Sequence, residues 1–232
     1  MVKVYIFNIS EDEKNKESAP TRGGSPFAYF EKKASGESGA RRELTLAEGE
    51  LLHLALTDGY TKEMPDGFFE KDGFGKLKFT KRGKNNQRIE FSLAHAEKIL
   101  VLAVSSGAAV GVDTEPLGRR ICVGVESRFL DGFTPRFFEL DAQVVEVKRR
   151  VGALYATEIK SPAPLPEGEA SLRKWTAMEA LVKMTGEGLS GHKKASAIHS
   201  RARLSGFIYE AADGKKYAVT LACRRALTVN DE

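Results

Sequence analysis

The sequence predicts an α+β protein in which helices and antiparallel strands occur in both halves of the chain, and three observations carry that prediction. Residues 99–112 form the longest apolar stretch, and its interruption by Ser105, Ser106 and Gly107 reads as two buried strands joined in a hairpin. Leu172, Trp175, Met178 and Val182 recur at helical spacing, so they form the apolar stripe of a packed helix. Asp213-Gly214 separates the runs 203–211 and 217–224, which is a strong hairpin signal.

The remaining elements follow in chain order. Residues 1–10 alternate like a first strand, and they lack the long apolar core and small-residue cleavage site of a signal peptide, so a cytoplasmic location is expected. Residues 11–41, rich in Glu, Lys, Ser and Gly, read as a loop or an extended excursion. Thr45 with Glu48 three residues on forms a candidate capping box, and the leucines and alanines through Leu56 continue a helix from it. Residues 60–88 read as Gly- and Lys-rich loops around short strands, and 91–115 as the central hairpin. The run from Arg119 to Leu130 reads as a loop entering a helix, and 141–159 as a further helix. Pro162, Pro164 and Pro166 make a rigid linker that cannot be helical throughout. A helix then starts near Ser171 and ends about Gly186, a natural C-cap.

Composition bounds the function without choosing it. A chain of 232 residues that is 41% hydrophobic and 29% charged has the profile of a globular protein with one sizeable core or two small lobes. Its net charge of +4 favours an anionic partner. Nucleic acid would want aromatics interleaved with a sustained basic stripe, whereas 81–84 and the pair Lys193-Lys194 read as solvated faces. No membrane span is expected, because the longest apolar stretch is broken. Two cysteines, Cys122 and Cys223, do not make a disulfide framework, fit a reducing compartment, and are expected to be buried.

The chemistry concentrates in Gly111-Val112-Asp113-Thr114-Glu115-Pro116 and in residues 175–183. Alternate strand residues share a face, so Asp113 and Glu115 look the same way, and Pro116 ends the strand beside them. Glu179 and Lys183 are i,i+4 neighbours on a helix, with Trp175 one turn earlier. Taken singly, the first pair reads as a solvated strand end, the second as an exposed ion pair, and Trp175 as a packing residue. Together, three carboxylates and one lysine suit a magnesium ion completed by a phosphoryl or diphosphate ligand. His95 reads either as an edge histidine or as part of a site. His53, His192 and His199 show no metal-ligand spacing and read as surface or capping residues.

Four motifs fall in the order found in the long, two-lobed 4'-phosphopantetheinyl transferases of the surfactin-synthetase type. Val110-Gly111-Val112-Asp113-Thr114-Glu115 and Trp175-Thr176-Ala177-Met178-Glu179-Ala180-Leu181-Val182-Lys183, followed by Gly186-Glu187-Gly188-Leu189-Ser190, resemble the metal-binding and helix motifs of that family. Phe91-Ser92-Leu93-Ala94-His95-Ala96 resembles its Asn-Leu-Ser-His-Ser element, and Gly75-Lys76-Leu77 its Gly-Lys-Pro element. The resemblance covers roughly residues 73–190 and is carried by the combination of motifs.

The resemblance implies two similar lobes of antiparallel sheet plus helix, residues 1–110 and 111–232, with a cleft between them. It also implies transfer of 4'-phosphopantetheine from coenzyme A to a serine of an apo acyl or peptidyl carrier protein by a monomer. Asp113, Glu115 and Glu179 would hold Mg2+, Glu179 would remove the serine proton, and Lys183 would contact the diphosphate. Lys76 and His95 would grip the nucleotide end, with Arg41 or Arg42 as helpers. The sequence departs from the family pattern at Met178, where lysine is usual, at Ala94 and Ala96, where serines flank the histidine, and at Leu77, where proline follows the lysine. A lost hydrogen bond to a charged group is worth about 1.5 to 3 kcal/mol, so these departures bear on coenzyme A affinity. They motivate the alternative of a catalytically inactive member that binds coenzyme A or a carrier protein. A magnesium-dependent nucleotide phosphohydrolase is a third reading.

Overall fold

The computed structural model describes residues 2–9, 27–58, 69–73, 76–80, 88–150 and 153–224. The basic run 81–84, Gly75 and most of the expected excursion after the first strand lie outside the described residues. Three sheets are formed among the described ones. The largest is built on β1 (Val2–Asn8), whose side chains are buried on both faces, as a central strand requires. β4 (Ile89–Ala96) and β5 (Ile99–Ser106) form an antiparallel hairpin, and β5 pairs antiparallel with β1, Ile6 opposite Val101. On the other side β1 pairs parallel with β7 (Gln143–Arg150), which pairs antiparallel with β8 (Ala153–Ile159). The strand order is therefore β4-β5-β1-β7-β8.

The second sheet holds β6 (Val110–Pro116), β10 (Lys216–Arg224) and β9 (Ala202–Glu210), in the order β6-β10-β9 and antiparallel throughout. β2 (Phe69–Lys71) and β3 (Leu77–Phe79) make a short separate ladder. The longer helices are α1 (Ala28–Ser35), α2 (Gly39–Thr57), α3 (Ala170–Thr185) and α4 (His192–Ile198), and the loop after β6 enters short helical turns over Val123–Val125 and Glu126–Leu130, as the sequence suggests.

Side-chain alternation arranges these elements in four layers. Tyr5, Phe7, Leu100 and Leu102 on one face of the large sheet pack with Leu51, Leu52 and Leu56 of α2. Val4, Ile6, Val101 and Ala103 on the other face pack with Val110, Val112, Val219 and Leu221 of the second sheet. The outer face of that second sheet, through Leu204 and Ala222, packs with Ala177, Leu181 and Met184 of α3.

Several expectations are corrected. Within the expected helix 141–159, residues 143–150 and 153–159 are the antiparallel strands β7 and β8. The valines that suggest a helical period belong to opposite faces of a strand: Val145 and Val147 enter the α2-facing core, Val144 the core between the sheets. Residues 99–112 contain two buried strands, but β5 and β6 belong to different sheets, and the hairpin partner of β5 is β4. Thr45 does not start its helix: α2 begins at Gly39, and Thr45 Oγ1 donates to Glu37 Oε2 at 2.5 Å from inside the helix. The described part of 11–41 is largely helical, because Phe30 and Ala34 bury one face of α1. Cys122 is exposed and Cys223 half-buried, so neither is a core residue. No helix among the described residues is long and apolar enough to cross a membrane.

Candidate functional site

The site is made by the contact between β6 and α3. Val110, Val112 and Thr114 point into the core between the sheets, which leaves Gly111, Asp113 and Glu115 on the face that α3 covers. Gly111 lies where the helix comes nearest: a Cβ there would collide with the carbonyl oxygen of Ala180 and the amide nitrogen of Met184. The missing side chain permits the close approach. Of the next two residues on that face, Asp113 meets Lys183 in the same stretch of the helix and Glu115 meets Trp175 more than a turn earlier. Gly186, at φ 81°, ends α3 in the left-handed conformation of a glycine C-cap.

Asp113 is 5% exposed, and its Oδ1 accepts from Lys183 Nζ at 2.7 Å. Its Oδ2 is buried and has no hydrogen-bond partner among the described residues. Burial raises its pKa to about 6, and the charges of Glu179 and Glu115 add to the rise while Lys183 opposes it. Burial likewise raises the pKa of Glu179, with Lys183 and Arg119 pulling the other way and Glu115 adding to the rise. Glu115 Oε1 accepts from Trp175 Nε1 at 3.2 Å and is ion-paired with Arg119. The three carboxylates thus lie within one another's electrostatic reach.

Among the described residues, no three His, Cys, Asp or Glu side chains converge closely enough to hold a metal ion. Lys183 is turned onto Asp113, and Arg119 onto Glu115. The donor chemistry nonetheless suits a hard divalent cation, because Asp113 Oδ2 is an orphaned buried acceptor and magnesium needs only a few carboxylate oxygens beside water and phosphate. The fit is one of donor type, and converging all three acids would require Lys183 and Arg119 to yield.

Beside the acids lies a cleft of about 370 Å³ lined by Lys76, Phe91, Ser92, Leu93, Glu179 and Lys183, among others. Its walls come from residues before 110 and after 170. Lys76, with its pKa lowered by burial, donates to the carbonyls of Val110 at 3.4 Å and Met184 at 3.3 Å. It therefore fastens the end of α3 to β6 while lining the cleft. His95 is exposed on β4; its pKa is lowered by desolvation, and it feels the charges of Glu48, Arg41, Lys183 and Lys33. Arg41 pairs with Glu37 one turn before it, and Arg42 is exposed. His192 and His199 bond through Nδ1 to the carbonyls of Leu189 and Ser196, as expected of helix-end residues.

Two contributors escape sequence reasoning. Arg119 reaches Glu115 because the chain turns between them, with Gly118 at φ 82° and the Arg119 amide donating to the Pro116 carbonyl at 3.1 Å. Ser92 Oγ accepts from the Val112 amide at 3.1 Å and so ties β6 to β4 beneath the cleft. Trp175 is both packed and polar, being 9% exposed and donating to Glu115. No family model matches the sequence, and no curated protein matches it.

Proposed function

We propose that this protein transfers the 4'-phosphopantetheine group of coenzyme A to a serine hydroxyl of an apo acyl or peptidyl carrier protein in a magnesium-dependent reaction. The single observation that carries the reading is the convergence of two motifs some seventy residues apart: Lys183 Nζ donates to Asp113 Oδ1 at 2.7 Å, with Glu179 and Lys183 lining one cleft. In this reading the protein acts as a monomer, and the cleft takes coenzyme A.

Asp113, Glu115 and Glu179 would hold magnesium, which when bound neutralises charge on the diphosphate. The carrier serine Oγ forms a bond to the phosphorus bearing the pantetheine arm. The bond from that phosphorus to the bridging oxygen breaks, and adenosine 3',5'-bisphosphate leaves with the electron pair. Glu179 takes the serine proton; burial raises its pKa toward the working range of a general base. Lys183, with its side chain 30% exposed at the cleft, would meet the diphosphate as a point charge. His95, near the charges of Arg41 and Lys33, would face the nucleotide end.

One observation favours a second reading. Lys183 and Arg119 already neutralise two of the three acids, as in a catalytically inactive protein that binds coenzyme A or a carrier without turnover. Intact mass of apo carrier proteins after incubation with the protein, coenzyme A and magnesium tests both. A chelator-sensitive gain of one phosphopantetheine is expected. Coenzyme A binding with no gain on any carrier would favour the inactive binder.

A further inference from the structure

Two of the three acids of the site are paired with cations of the chain itself: Asp113 with Lys183, and Glu115 with Arg119. The two pairs differ in depth. Arg119 is half exposed, and an exposed pair exchanges its partners at little cost. Asp113 is 5% exposed, its Oδ1 accepts from Lys183 Nζ at 2.7 Å, and its Oδ2 is buried with no partner among the described residues. Taking the cation from a buried pair leaves an uncompensated charge, which is strongly unfavourable. While Asp113 stays ionised, Lys183 can therefore leave it only as another cation arrives.

Lys183 has a place to go, because its side chain also lines the cleft beside Glu179. The other lysine of the cleft, Lys76, is committed to the carbonyls of Val110 and Met184. An anion in the cleft pulls Lys183 off Asp113, and a divalent cation at Asp113 pushes it toward the cleft. Each ligand thus removes the obstacle to the other. We infer that Lys183 is a place-holding counter-ion, exchanged between Asp113 and an anion in the cleft, so that a divalent cation and a diphosphate ligand bind as a pair and each only weakly alone. The inference rests on the metal-dependent reading above and adds the coupling between its two ligands. Arg119, whose charge reaches Glu179 as well as Glu115, opposes a cation in the same sense and yields as Glu115 turns to it.

Free Mn2+ followed by electron paramagnetic resonance, during titration of the full chain in mildly alkaline buffer with and without coenzyme A, reads this coupling against a blank of coenzyme A alone. The parent protein is expected to bind Mn2+ at least about tenfold more tightly when coenzyme A is present. A metal that bridges a diphosphate gains from direct contact too, so the exchange is read as the part of the gain that Lys183→Met loses, about fivefold. Without coenzyme A, Arg119→Gln should bind Mn2+ about fivefold more tightly than the parent, whereas Arg119→Lys should match it. Arg119 is half exposed, so its variants should unfold close to the parental temperature, which keeps this arm readable even if Lys183→Met folds poorly. An undiminished gain in Lys183→Met, or binding by Arg119→Gln no tighter than the parent's, overturns this inference alone. Mn2+ held by neither the parent nor Arg119→Gln, even with coenzyme A, overturns both the inference and the metal-dependent reading.

Discussion

Asp113 is a carboxylate held where water does not reach, and its environment favours the neutral acid. Its pKa rises from 3.8 to about 6, chiefly through burial. The folded state therefore binds a proton more tightly than the unfolded chain, so the contribution of this group to stability is greatest below about pH 4, falls as pH rises toward 6, and is flat beyond. A shift of that size corresponds to roughly 3 kcal/mol. In metal-free protein, denaturation midpoints measured from pH 4 to 7 should fall more steeply for the parent than for Asp113→Asn, and parallel curves would refute the burial account. Lys183→Met removes the cation bonded to this acid. The Asp113 carboxyl resonance should then titrate above its parental midpoint, and transfer to a carrier protein should drop by roughly a hundredfold. Strand and helix periods put Asp113 with Glu115 on one face and Glu179 with Lys183 on another, whereas joining the two pairs into one candidate site rested on their combination and on the family resemblance. Arg119 was not legible, because its approach to Glu115 depends on a turn with a positive φ that no periodicity encodes.

The packing of α3 on β6 is limited by backbone contact, so its sensitivity is concentrated at Gly111. A methyl there meets the helix backbone at Ala180 and Met184, and backbone cannot swing aside as a side-chain tip can. Gly111→Ala is expected to cost about 1 to 3 kcal/mol, read as a lower urea midpoint. Gly124→Ala has open space at its Cβ and should be nearly neutral. Equal effects at the two positions would show that close approach is not what Gly111 supplies. The elements themselves were unevenly legible. The β9–β10 hairpin and the α3 end at Gly186 carry their signals locally, in Asp213-Gly214 and in a glycine cap. The β7–β8 hairpin does not: Val144, Val147 and Leu154 sit at spacings a helix could share. What decides for a strand is β1, against which Val147 pairs in register with Phe7, 140 positions earlier. The run of β-branched residues was the available cue.

At the scale of the whole molecule, the large sheet draws strands from both sides of residue 110, since β7 and β8 extend the sheet begun by β1, β4 and β5. Links between distant segments reinforce this. Arg149 of β7 is ion-paired with Glu50 of α2, and Tyr217 of β10 donates to Glu97, in the β4–β5 turn, at 2.9 Å. The cleft has the same composite character, with Ser92 and Leu93 of β4 on one wall and Val182 and Lys183 of α3 on the other. A ligand that fills it must therefore be felt by both walls at once. Binding to the folded state alone at a hundred times the dissociation constant stabilises by about 2.7 kcal/mol, and that energy should appear as slowed local opening wherever the ligand makes contact. Hydrogen exchange with and without coenzyme A and magnesium should show added protection in both β4 and the last turns of α3. The edge strand β8, remote from the cleft in the strand order, should exchange as before. Protection confined to α3 would mean that the ligand sits against the acids without entering the cleft. Protection of neither wall, with binding independently established, would remove the cleft from the proposed reaction.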